Sequence, residues 1–283
     1  MKITFIGLGN MAAAMINGIL AQGIVVKEDI TGTDISPAAR ASAEEKFGII
    51  VAGDNSAACR NAEIIILAIK PQIAESVLEE IKDSISAGTI ILNIMAGKTM
   101  DWIANRLTGS VNNQLSQINN ANIPNAPSLV KIVRVMPNTP ALVGEAISGV
   151  CRNANVNDIE MDKCLRLLNS IGKAEEIPES LIDAVIGVSG SAPAYVYIFI
   201  EALADAGVLA GMPRAQAYRF AAQNVLGSAK MVLETGKHPG ELKDMVCSPG
   251  GTTIEAVKVL EEKGFRDAVI SAALAAITKA KKL

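Results

Sequence analysis

The sequence predicts an α/β domain built on a doubly wound parallel sheet, residues 1–178, followed by an all-α domain, residues 179–283. Three observations carry this. Short β-branched runs alternate with helix-patterned segments through the first half, the pattern of strands joined by right-handed helical crossovers. A glycine motif sits between the first strand and the first helix. After Pro178 the alternation stops, and the apolar segments all read as helical.

In chain order, Ile3–Gly7 reads as a strand and Met11–Gln22 as a helix ending near Gly23. Ile30–Thr33 is a second strand, Pro37–Phe47 a helix and Ile49–Ala52 a third strand. Glu63–Ile69 reads as a fourth strand, apolar without a break after Glu63 and so suited to a sheet covered on both faces. Ala74–Ile85 reads as a helix and Thr89–Ile94 as a fifth strand. Ser110–Ser128 is rich in Asn and Gln and reads as a solvated loop or an insertion, with no assigned chemistry. Lys131–Met136, Ile147–Arg152 and Ala174–Ile177 are the remaining strands, the last two flanking a helix from Val156 to Ile171. Beyond Pro178, Leu181–Val188, Ala192–Ala210, Arg214–Thr235, Gly240–Val246, Thr253–Lys263 and Phe265–Lys282 read as helices.

Composition narrows the function. Half of the 283 residues are hydrophobic, enough for a large core divided between two domains. The net charge of −3 gives no electrostatic reason to expect nucleic acid or an anionic membrane as partner. The most apolar run, Ala192 to Ala204, falls short of the about 20 residues that span a bilayer. A helix apolar nearly all round suits burial, here against another subunit. Four scattered cysteines without metal-ligand spacing read as reduced thiols of a cytoplasmic protein, and no targeting segment precedes the first strand. His238 is the one histidine, set in a polar His-Pro-Gly turn, which disfavours His-based metal or triad chemistry.

Gly7-Leu8-Gly9-Asn10-Met11-Ala12 is the dinucleotide fingerprint with alanine in the third glycine position. Gly7 permits the tight turn after Ile6, Gly9 lets a pyrophosphate approach the backbone, and Ala12 lets helix and strand pack closely. Asp34 follows the second strand, where the Rossmann-type fingerprint places the acid that bonds a ribose 2′-hydroxyl. Its carboxylate would repel a 2′-phosphate; the competing reading is a strand-end turn residue. Arg40, on the helix that follows, is the group that could instead reach a phosphate. Ala68-Ile69-Lys70-Pro71 and Ile94-Met95-Ala96-Gly97 close the fourth and fifth strands, and ligands in such sheets lie outside the strands' carboxyl ends. Lys70 could meet a phosphate or a substrate carboxylate there, or stand solvated.

At the other end, Ser248-Pro249-Gly250-Gly251-Thr252-Thr253 runs into a helix. A glycine-rich helix start offers free N–H groups and positive dipole charge to a small anion, with the Thr253 hydroxyl beside it. The competing reading is an ordinary turn with a threonine cap.

Together with Ala-Ile-Lys-Pro at 68–71, Arg134-Val135-Met136-Pro137-Asn138 and Val188-Ser189-Gly190-Ser191-Ala192-Pro193-Ala194-Tyr195, these motifs resemble the pyrroline-5-carboxylate reductase family over essentially the whole chain. The resemblance implies reduction of the cyclic imine 1-pyrroline-5-carboxylate to L-proline by NADPH or NADH, without a metal. It implies a helical domain that pairs into a dimer or a ring of dimers. It places Thr253 against the ring nitrogen, the backbone of Gly251 to Thr253 on the carboxylate with Ser248 and Gly250 lining the same turn, and the cofactor on the glycine fingerprint, Asn55, Ala68–Pro71 and Ile94–Ala96. The family often has Ser, Thr or Asn where this chain has Asp34, so NADH is expected to serve at least as well as NADPH. A β-hydroxyacid or 6-phosphogluconate-type dehydrogenase is disfavoured because the region of Ser189-Gly190-Ser191 lacks the lysine those enzymes use. A nucleotide-sensing scaffold is disfavoured by the intact Gly250–Thr253 motif.

Overall fold

The computed structural model describes residues 1–107 and 129–282, so the Asn-rich Ser110–Ser128 segment lies outside the described residues. The chain divides into two compact units, one holding Met1–Gly190 with the final residues from Ile277, the other Ser191–Ala276.

Among the described residues, the first unit holds an eight-stranded sheet. Its strands are β1 (Ile3–Ile6), β2 (Ile30–Thr33), β3 (Ile50–Ala52), β4 (Ile64–Leu67), β5 (Ile90–Asn93), β6 (Lys131–Met136), β7 (Ala146–Arg152) and β8 (Gly172–Glu176). The spatial order is β3-β2-β1-β4-β5-β6-β7-β8. Winding reverses between β1 and β4, the crevice where such folds receive ligands. The helices are α1 (Asn10–Ala21), α2 (Pro37–Phe47), α3 (Asn55–Cys59), α4 (Ala74–Ile81), α5 (100–107 as described), α6 (Asp158–Leu168) and α7 (Ile182–Val185).

Alternate residues of each strand feed opposite layers, as the pleat requires. Phe5, Ile66, Leu92 and Val133 pack with α1 residues Met15, Ile16 and Ile19 and with α6 residues Leu167 and Leu168. Ile65, Leu67, Ile91 and Ile132 pack on the other face with Leu78 and Ile81 of α4 and Ile103 of α5. Strands buried on both faces explain the unbroken Ile-Ile-Ile-Leu of β4.

Three expectations need correction. The sheet is not wholly parallel: β7 runs antiparallel to β6, with Val133 opposite Arg152 and Met136 opposite Gly149. The link from Met136 to Ala146 holds only the single-turn 3₁₀ segment Thr139–Val143, too short for a crossover helix, so the chain must fold back. The fourth helix stops at Ile81, and a 3₁₀ turn at Lys82–Ser84 leads out of it. Helices α3 and α5 have no counterpart in the sequence pattern. α3 is five residues of small and polar type without apolar periodicity, started by Asp54, whose side chain accepts the Ala57 N–H at 3.1 Å.

The second unit contains α8 (Ala192–Leu209), α9 (Arg214–Thr235), α10 (Pro239–Val246) and α11 (Thr252–Glu262), and α12 (Phe265–Ala280) begins within it. Its buried core is small, Ala204, Ala217 and Ala221 where α8 meets α9. Length does not bar the apolar run from a bilayer, contrary to the sequence expectation. Helical conformation extends over Glu179–Leu209, 31 residues, through a π-turn at Ile186–Gly190.

Candidate dinucleotide and anion sites

The β1–α1 turn is shaped by a close approach. Gly7 has φ 95°, and a Cβ there would stand 2.5 Å from the Ala68 carbonyl oxygen, so only glycine fits. Its N–H donates to the Thr33 carbonyl at 2.8 Å, tying the turn to β2. Gly9 caps α1 with no side-chain hydrogen bond, the first turn carries no acid, and a Cβ on Gly9 would meet nothing within 4 Å. Gly9 and Asn10 are exposed, and the first-turn N–H groups of α1 have no intrahelical acceptor, the cradle a pyrophosphate requires. Ala12 is fully buried in the core, as close helix–strand packing demands. Ile6 is buried, and its carbonyl takes the Ala68 N–H at 2.9 Å.

Asp34 stands at the end of β2 and performs the turn role directly. Its Oδ2 accepts the Leu8 N–H and its Oδ1 the Ser36 N–H, each at 2.9 Å. One carboxylate thus clasps the glycine loop to the β2–α2 turn, and each oxygen retains capacity for a further donor such as a ribose hydroxyl. The Arg40 guanidinium folds back onto the Asp34 carbonyl. Asn55 opens α3 beside them: its Oδ1 accepts the Thr33 hydroxyl at 2.6 Å, and its Nδ2 donates to Glu80 at 2.9 Å. Thr33 and Glu80 are supports that no local sequence signal marked. Ile35, next to Asp34, is 95% exposed.

The neighbouring strand ends complete the edge. Ala68 and Ile69 are half-buried, Lys70 is exposed, and Pro71 opens a 3₁₀ turn. After β5, Ile94 and Ala96 are half-buried and Met95 is buried. The Ile94 N–H reaches the Leu67 carbonyl at 3.4 Å, joining the two loops. Asn93, unmarked in the sequence, is fully buried beneath this segment. After β6, Asn138 donates to Ser189 Oγ at 3.2 Å and accepts the Ile147 N–H at 3.1 Å, anchoring the π-turn. The turns at Gly7–Met11, Asp34, Ala68–Pro71 and Ile94–Ala96 follow the adjacent strands β1, β2, β4 and β5 and share one sheet edge.

The second unit carries the anion motif. Gly250 has φ 68°, and Gly251 caps α11 with no side-chain hydrogen bond. A Cβ on Gly251 would fall 2.4 Å from Ser248 Oγ, and its N–H donates to the Ser248 carbonyl at 3.0 Å. The threonine-cap reading is therefore not what forms: the helix starts at Thr252, and the cap residue has no side chain. Thr252 is exposed and Thr253 half-buried on that first turn. His238 is itself a cap, its Nδ1 accepting the Gly240 N–H at 3.0 Å to start α10.

All four cysteines are free thiols, with Cys59, Cys151 and Cys164 buried. Burial pushes each of those three up to about 12, so they stay protonated.

Residues 2–97 match the family model described as NADP oxidoreductase, coenzyme F420-dependent, and residues 179–283 match the one described as pyrroline-5-carboxylate reductase dimerisation. The chain is 49% identical over 282 residues to pyrroline-5-carboxylate reductase of Escherichia coli, covering 100% of this chain and 98% of that protein. Among solved structures it resembles a pyrroline-5-carboxylate reductase from Coxiella burnetii, with a TM-score of 0.86 and 32% identity over 99% of this chain and 97% of that one. It is similar also to the Plasmodium falciparum pyrroline carboxylate reductase solved with NADP bound, with a TM-score of 0.84 and 33% identity over 99% and 97% of the two chains.

Proposed function

The chain belongs to the pyrroline-5-carboxylate reductase family, and on that premise we propose how its residues reduce 1-pyrroline-5-carboxylate to L-proline with NAD(P)H, the last step of proline biosynthesis. The observation that carries the assignment of roles is a pair of helix N-termini capped by glycine, Gly9 on α1 and Gly251 on α11. Each presents free N–H groups to an anion. The substrate has one carboxylate and the dinucleotide one pyrophosphate.

The dinucleotide is held by Gly7, Leu8, Gly9, Asn10 and Met11 after Ile6, by Asp34 and Asn55, and by the turns Ala68–Pro71 and Ile94–Ala96. When bound, it supplies the hydride that reduces the imine. The N–H groups of Thr252 and Thr253 bind the substrate carboxylate over the Gly251 backbone, whose own N–H is held by the Ser248 carbonyl, with Ser248 and Gly250 shaping the turn. Thr253 bonds the ring nitrogen through its hydroxyl. A threonine hydroxyl is too weak an acid to protonate the nitrogen directly at neutral pH. The imine therefore binds protonated, or takes a proton from water passed along Thr253. Hydride addition to the carbon of the protonated C=N bond breaks its π bond and leaves the nitrogen pair on a neutral secondary amine, so charge and atoms balance.

Asp34 supports use of NADH at least as well as NADPH, because its carboxylate meets a ribose hydroxyl favourably and a 2′-phosphate unfavourably. A boundary after Pro178 is supported by the family model that begins at residue 179, although the compact units of the fold divide after Gly190. The dimerisation domain supports assembly as a dimer or a ring of dimers, the four free thiols support a cytoplasmic location, and the net charge of −3 is what supports a chain without nucleic-acid or anionic-membrane partners. The test follows loss of dihydronicotinamide absorbance with 1-pyrroline-5-carboxylate and each cofactor. Substrate-dependent oxidation of both is expected, with catalytic efficiency for NADH equal or higher. No oxidation of either overturns the activity, and a large NADPH preference overturns the role of Asp34.

A further inference from the structure

Asn93 ends β5 with no part of its side chain exposed. A buried primary amide must find partners, and here both ends of the amide bond the same short stretch of backbone. Oδ1 accepts the Met95 N–H at 2.9 Å, and Nδ2 donates to the Lys98 carbonyl at 2.9 Å. These two bonds span the Ile94–Gly97 turn from below. Among the described residues no other side chain bonds the backbone of 94–98. The next residues are fixed separately. Thr99 Oγ1 accepts the Trp102 N–H at 3.1 Å, and the Glu179 carboxylate accepts the Met100 N–H at 2.9 Å.

We propose that Asn93 is a positioning residue for the dinucleotide. Its amide holds the Ile94–Ala96 backbone in the conformation that receives the cofactor, without touching the cofactor itself. The inference rests on the assignment of Ile94–Ala96 to the cofactor site made above. A loop released from both bonds samples other conformations, and the binding-competent fraction sets the apparent affinity.

The chain has one tryptophan, Trp102, on α5 just beyond this turn. Energy transfer from Trp102 to bound dihydronicotinamide reports binding of NADH or NADPH to the full chain without turnover. Asn93→Ala removes both bonds. Asn93→Ser is smaller than the native residue, yet its hydroxyl can accept the Met95 N–H in the same i to i+2 turn. Asn93→Ala is expected to raise the dinucleotide Kd about tenfold and Asn93→Ser about threefold, in line with hydrogen bonds lost from buried groups. The dinucleotide KM should follow Kd while kcat changes little. Asn153→Ala is the structural control. Its amide bonds the Ile132 N–H and the Val130 carbonyl at the amino end of β6, away from the cofactor edge. It should lower Tm and leave Kd unchanged.

Wild-type affinity in Asn93→Ala overturns the proposal, as does an equal loss of affinity in Asn153→Ala. If Asn93→Ala does not fold, Asn93→Ser decides, because it still loses the Lys98 bond; an unchanged Kd there is equally decisive against it. A wild-type chain that binds neither dinucleotide removes the functional reading and this proposal together. Wild-type binding with unchanged Asn93 variants removes this proposal alone.

Discussion

Thr253 lies half-buried in the first turn of α11, where the cap residue is a glycine and the hydroxyl takes no part in starting the helix. Its removal should therefore leave the helix intact. Thr253→Ala is expected to lower kcat about a hundredfold, the lower range for loss of a proton-handling group, with the NADH and NADPH Kd unchanged. Unaltered steady-state rates would take Thr253 out of the mechanism. Asp34 has two duties, clasping Leu8 to Ser36 and meeting the ribose. Asp34→Ser should shift the ratio of catalytic efficiencies toward NADPH by about tenfold, the effect of one charge-assisted hydrogen bond. It should also reduce Tm, because two N–H groups lose a charged acceptor. The buried thiols of Cys59, Cys151 and Cys164 have their pKa raised by burial from 9.0 to about 12. The folded state thus holds those protons more tightly than the unfolded chain. The resulting stability is complete below pH 9 and is lost as pH rises toward 12. Tm should fall across that window, and a thiol reagent at neutral pH should label Cys247 first.

At the scale of the element, α6 shows how a helix start becomes pH-sensitive. Asn157 accepts the Glu160 N–H at 3.0 Å while Glu160 accepts the Asn157 N–H at 3.1 Å, a reciprocal capping box. Burial tends to raise the Glu160 pKa, but the Lys131 ammonium and the Asn157 N–H outweigh it and hold the carboxyl below its usual range. The stability this gives is present above the ordinary carboxylate pKa and lost as pH falls through the lowered folded value. Glu160→Gln should cost about 1 kcal/mol at neutral pH and flatten the acid limb of the Tm profile. An acid limb as steep as the wild type would show that other carboxylates set it. Elements with such punctuation are legible in sequence. β2 and α2 match their expected bounds because Ile30–Thr33 is β-branched and Ser36-Pro37 opens a helix that Gly48 closes at φ 65°. The glycine fingerprint is legible for the same reason: Gly7 answers a steric demand that no other residue meets. The ties from Asn55 to Thr33 and from Asp34 to Leu8 are not, because they join residues far apart in sequence through single side-chain atoms. The reversal at β7 depends on the length of one connection, and no residue in β7 announces its direction.

For the whole molecule, the helical domain is the part that does not close on itself. Its buried core is three alanines, while Ile198 on α8 is 66% exposed and Phe220 on α9 is 61% exposed. Apolar side chains left in water lose about 1.5–3 kcal/mol each relative to burial, so such a surface favours a cover. The Glu179–Leu209 helical run is long and apolar enough to cross a membrane, but residues 179–283 match a dimerisation domain, so a second copy is the expected cover. Folding and association are then linked, and Tm should rise with protein concentration. Ile198→Glu and Phe220→Glu, made separately, each place a charge on this surface. A variant whose site lies under the partner should show a lower mass by light scattering and lose the concentration dependence of Tm. Its α/β domain, with its own core on both faces of the sheet, should still bind NADH. If both variants keep the wild-type mass and concentration dependence, the exposed faces of α8 and α9 lie outside the interface, and α12, with Ile270 58% exposed, becomes the surface that the partner must cover.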